Sequence, residues 1–141
     1  MFVPLLALAF ALASVQDPVA PAPVQPPTVR YDQAMRCAGI MAATSSLHAF
    51  TGNTEAKARS DRNGRAFITA ATRFAQPLEL TQPQLSEAFS ASTARALSAI
   101  TRTPDQAAAD AAIDQLNADH EACIALARGW VTEANAAQPA G

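Results

Sequence analysis

From residue 29 onward, apolar side chains recur every three or four positions, the spacing that lines one face of a helix. Over residues 29–50, Cys37, Met41, Thr44 and His48 share a face that Ile40 and Leu47 widen. Thr51, Gly52, Asn53 and Thr54 then read as a helix stop followed by a cap. A second helix is predicted over residues 54–76. Asp61, Arg62, Asn63 and Gly64 interrupt its pattern, so a break or kink is expected there. Beyond that point Phe67, Ala70, Ala71 and Phe74 form a compact stripe, and Pro77 ends the helix because the residue before a proline disfavours helical geometry. A third helix begins near Thr81, with Gln84 completing a capping box. Its expected buried face is Leu85, Phe89, Ala96, Leu97 and Ile100. A fourth is predicted to start with Thr103 as cap, Pro104 in the first helical position and Gln106 closing a second capping box, while Asp105 complements the helix dipole. Its stripe of Ile113, Leu116, His120, Cys123, Ala127 and Trp130 steps by three and four like a heptad seam. Fraying is expected from Asn135.

Four such segments joined by short loops predict an all-α, up-down four-helix bundle. Composition agrees. The chain of 141 residues contains 35 alanines, and alanine loses no side-chain entropy in a helix. Runs of β-branched residues with period two, the mark of a sheet, are missing. Residues 28–76 carry seven basic and three acidic side chains and residues 77–141 carry three and eight, so the two halves are expected to attract one another. The net charge of −2 gives no basic surface for nucleic acid.

The N-terminal region falls outside the bundle. Residues 1–16 read as a signal peptide: Phe2 to Ser14 is almost wholly apolar, too short to span a bilayer, and Ala11-Leu12-Ala13 offers the small-x-small pattern of a cleavage site. Ser14, or failing that Leu12, is the expected mature N-terminus. No Lys or Arg precedes the apolar run, a departure from the usual signal. Membrane contact is not expected beyond this segment. Residues 17–28 hold five prolines, which exclude a helix and predict an extended tether. The helical domain is then residues 29–138. Export places the protein in the periplasm or outside the cell.

In that oxidising setting, Cys37 and Cys123 read as one disulfide between the first and last helices. With those two level in antiparallel helices, His48 falls level with residue 112, about 12 Å along the axis from His120, too far to share a metal ion. The same register sets His120 opposite residue 40, close to Met41, so a b-type haem held by Met41 and His120 stands as an alternative; the disulfide one turn away argues for tight packing instead. Lys57, Arg59, Arg62 and Arg65 form a candidate anion-binding face, set against Glu55–Arg59 and Asp61–Arg65 pairs of the kind that decorate a solvated helix. Trp130 reads as a core plug or as the anchor for a partner. No nucleophile elbow, phosphate loop or zinc-protease motif occurs, and Asp110, Asp114 and Glu121 fall on an exposed face. These residues predict no enzyme and no cofactor. The expectation is a small exported domain that binds an envelope protein or peptide, with a haem electron carrier and a hydrophobic-ligand carrier as alternatives.

Overall fold

The computed structural model describes residues 25–139; the expected signal segment and most of the expected tether lie outside them. Four helices make up the bundle: α1 (Pro27–Phe50), α2 (Thr54–Ala75), α3 (Gln82–Thr101) and α4 (Gln106–Ala136), with a single 3-10 turn (Gln76–Leu78) between α2 and α3. Helix α1 begins two residues earlier than expected. Pro27 takes the first helical position, where its fixed φ suits the helix and its missing N–H costs nothing.

The α1–α2 corner is built as the sequence suggested. Gly52 adopts φ +73°, the Gly52 N–H donates to the Ala49 carbonyl at 3.2 Å and the Asn53 N–H to the His48 carbonyl at 2.9 Å, a Schellman closure that glycine permits. The Asn53 side chain then accepts from the Ala56 N–H at 3.1 Å and starts α2. At α3 the expected capping box forms: the Thr81 N–H donates to Gln84 Oε1 at 2.8 Å.

Two local expectations fail. Helix α4 starts at Gln106, not at Pro104, and Asp105 is its cap, accepting from the Ala108 N–H at 2.8 Å. A carboxylate at that position accepts a charge-assisted bond, while the Thr103 hydroxyl is spent on the Ile100 carbonyl of α3 at 2.9 Å and Gln106 reaches forward to Asp110 at 2.7 Å. Nor does α2 break at residues 61–64. Gly64 is buried, and a Cβ there would lie 3.4 Å from that of Met41. Asp61 is engaged by Ser45 of α1 and by Lys57. The glycine marks where α1 and α2 come close, and tertiary contact outweighs its loss in helix propensity of about 1 kcal/mol.

Helix α1 is the centre of the fold and packs against each of the other three. Its buried residues lie on more than one face: Ala34, Ala38 and Ala43 are as enclosed as Met41. Against α3 the approach is tightest at Gly39, where a Cβ would stand 2.4 Å from Ser92 Oγ and 2.7 Å from the Ser92 carbonyl carbon. Helix α4 runs antiparallel to α1. Cys37 and Cys123 form the disulfide, with Cα atoms 5.6 Å apart. Arg30–Glu133 and Arg36–Asp119 pairs add to it, their carboxylates lying on either side of Cys123 along α4. The apolar core gathers around Cys37, Ile40, Met41, Phe67, Leu116 and Cys123, and a second cluster around Ala34, Met35, Ala71, Ala75 and Leu85 continues toward the α1 N-terminus. The expected α3 face is present but only Leu85 is fully buried; Phe89, Ala96, Leu97 and Ile100 are half-covered.

Two stability predictions follow from these contacts. The disulfide closes a loop with a sequence separation of 86, so reduction should leave the helices largely formed yet lower the unfolding free energy by roughly 3–5 kcal/mol; the Cys37→Ala and Cys123→Ala single variants should lose similar amounts and the double variant little more. Urea titration followed by circular dichroism measures this. Gly39→Ala should destabilise by about 1–3 kcal/mol, because the added methyl meets backbone as well as a side chain. Ser92→Gly should rescue it only in part, a pattern that a pure helix-propensity gain would reverse.

A candidate binding groove between α2 and α4

Helix α4 is held to α1 by the disulfide and the ion pairs, and it stands off from its other neighbours. Between α2 and α4 this leaves a groove of about 550 Å³. Its floor is aromatic. Trp130 meets Phe74 edge-on, with centroids 5.2 Å apart, and Phe67 at 6.1 Å. Ile124, Ala127 and Val131 form the α4 wall, and Ala66 and Ala70 the α2 wall. Val131 is 60% exposed and, next to Ile124, Ala127 and Trp130, carries the apolar lining out to the surface.

The end of the groove near the start of α1 is cationic. Arg30 lies over the Phe74 ring at 5.7 Å and pairs with Glu133. Its Nε is buried and has no acceptor among the described residues. Arg73 of α2 lines the same end, is exposed, and has no ion-pair partner among the described residues. The far end is marked by the neutral amide of Asn63. A smaller hollow of about 440 Å³ lies on the other side of α4, lined by Arg36, Ser92, Arg95, Gln115 and Asp119 among others. Its one acid, Asp119, is occupied with Arg36 at 3.2 Å.

The structure distributes the residues singled out from the sequence as follows. Cys37 and Cys123 meet, both buried. Met41 is fully enclosed and its Cβ faces Gly64 of α2. His120 lies half-buried on α4 with Nδ1 3.4 Å from the Glu121 carboxylate, and neither Met41 nor His120 lines the α2–α4 groove or the hollow on the other side of α4. His48 is half-buried near the end of α1. Among the described residues no group of three or more His, Cys, Asp or Glu side chains is placed to hold a metal ion, and no helix is long and apolar enough to cross a membrane.

The basic face of α2 is a row of local pairs. Arg59 bonds Glu55 at 3.0 Å and Lys57 bonds Asp61 at 2.7 Å, while Arg62 and Arg65 are exposed. The expected Asp61–Arg65 pair does not form. Asp61 turns toward α1, accepts from Ser45 Oγ at 2.5 Å and takes Lys57 as its cation. These bonds, with Arg65 nearby, hold its carboxyl below the usual carboxylate range.

The groove itself was half visible in the sequence. Phe67, Phe74 and Trp130 stood out as core stripes. Ile124, Val131, Arg30 and Arg73 did not. The missed signal is a second apolar stripe on α4, in which Ile124, Ala127, Val131 and Ala134 step by three, four and three beside the heptad seam. No protein-family model matches this chain, and comparison with curated proteins and with solved structures finds no match.

Asp61 yields a pH prediction. Its folded pKa lies below its unfolded value of about 3.9, so the stabilisation it supplies is complete above that value and is lost as pH falls through the lower, folded one. In thermal unfolding between pH 7 and pH 2, Asp61→Asn should be less stable than the native chain at pH 7. The difference should shrink in acid below about pH 4.

Proposed function

We propose that this chain is an exported, non-enzymatic binding domain of the periplasm or extracellular space, and that the α2–α4 groove is where it binds an apolar ligand. The observation that carries the reading is the groove's construction: an aromatic floor of Phe67, Phe74 and Trp130, open to the surface through Val131, in a space of about 550 Å³. Small-molecule sites share that size and that mostly apolar lining with few polar groups. Export rests on the apolar segment Phe2 to Ser14 and is supported by the Cys37–Cys123 disulfide, a bond that persists in oxidising compartments. The non-enzymatic reading is supported by the carboxylates of α4. Asp110, Asp114 and Glu121 are spread along solvent-facing positions, and among the described residues no Asp, Glu, His, Ser or Cys side chain lines the groove.

Trp130 is the only tryptophan of the chain, which makes the test direct. The neutral fluorophore N-phenyl-1-naphthylamine, added to the full chain, should receive energy from Trp130 on binding. Val131→Asn should weaken that binding several-fold without altering the fold, since Val131 is 60% exposed. Charge reversal at Arg59 and Arg62, on the solvated face of α2, should leave it unchanged. Absence of energy transfer, or full-strength binding by Val131→Asn, would refute the groove as the site.

A further inference from the structure

We infer that the α2–α4 groove selects an amphipathic monocarboxylate, with the apolar body on Phe67, Phe74 and Trp130 and the carboxylate on Arg73; this rests on the groove being the binding site. The two ends of the groove differ. Among the described residues, one carries Arg30 and Arg73, the other the neutral Asn63, and no Asp or Glu lines the space between. A ligand complementary to it is apolar along its length and charged at one end.

The charge count at the cationic end fixes the sign and size of the ligand's head. Arg30 is already matched by Glu133. Arg73 has no acidic partner among the described residues, so one positive charge is uncompensated and one negative charge completes it. A monoanion does so, whereas a dianionic phosphate would leave a surplus. The planar guanidinium fork of Arg73 suits a carboxylate. Arg30 lines the same end and, paired with Glu133, keeps the local field positive at Arg73 without offering a second free charge.

Length sets the body. Arg73 and Asn63 are ten positions apart on α2, about 15 Å along a helix, enough to hold an extended ten-carbon chain together with its head group. Such a chain lies against the aromatic floor and removes Val131, Ile124 and the edge of Trp130 from water, the burial that drives binding of an apolar body.

The test compares three probes of equal tail and different head on the full chain: decanoate, decan-1-ol and decyltrimethylammonium, each below its critical micelle concentration, displacing N-phenyl-1-naphthylamine. Decanoate should bind roughly twofold to fivefold tighter than the alcohol, the effect of one exposed charge pair, and the cationic probe weakest. Arg73→Gln should erase the preference, so that decanoate and decan-1-ol bind that variant equally, and added salt should weaken only the decanoate complex of the native chain. Equal affinity for decanoate and decan-1-ol, or a preference that survives Arg73→Gln, overturns the carboxylate selectivity and leaves the groove reading standing. Failure of all three probes and of the fluorophore itself overturns both.

Discussion

Close contact between α1 and its neighbours is the constraint on which the structure depends. From Cys37 to Phe50 the helix carries no Asp, Glu, Lys or Arg, and a helix without a charged side has to be covered all round. The residues that allow this are small. Gly39 lets α3 approach until Ser92 lies where a side chain would be, and Gly64 lets α2 settle on Met41. Ala34, Ala38 and Ala43 fill the remaining contacts without holding the partners apart. Interiors packed this densely tolerate little added volume, so the positions of α2 and α3 relative to α1 leave scarcely any freedom.

Helix α4 is attached by other means. Its link to α1 is covalent at Cys37–Cys123 and electrostatic at Arg30–Glu133 and Arg36–Asp119, and its apolar contribution comes mainly from Leu116, Cys123 and Trp130. The disulfide supplies through chain entropy what close packing supplies for the other helices. One consequence is space: with α4 pinned along α1, grooves remain on both of its flanks, and the one facing α2 is lined by aromatic side chains. Trp130 belongs both to the core, through Phe67 and Phe74, and to the groove floor. Ligand at that position would therefore bear directly on the contact that joins α4 to α2.

Charge follows the same division. The basic excess of the first half and the acidic excess of the second meet in the two α1–α4 ion pairs, as the charge distribution along the chain implied. The rest of the basic excess on α2 is largely neutralised within its own helix or left in solvent, where each pair contributes little. Arg73 stands apart because it sits beside an apolar groove instead of beside a carboxylate.

Helix number, the Gly52–Asn53 corner, the Thr81 capping box and the Cys37–Cys123 pairing were legible in the sequence, because each depends on local chemistry or on a simple antiparallel register. Only tertiary structure decided the rest. Asp61 and Gly64 look like a helix break when α2 is considered alone; contact with Ser45 and Met41 of α1 turns them into the packing surface of an unbroken helix. Thr103 and Asp105 are both good caps, and which one serves depends on the Thr103 hydroxyl being drawn to the end of α3. The face of α1 read from a single stripe proved too narrow, since alanine and glycine carry almost no hydrophobic signal yet occupy the tightest contacts. The groove was the least legible feature of all. Its residues come from α1, α2 and α4, and a space between helices is set by how far apart larger side chains and a disulfide hold them, a distance that no periodicity within one helix encodes.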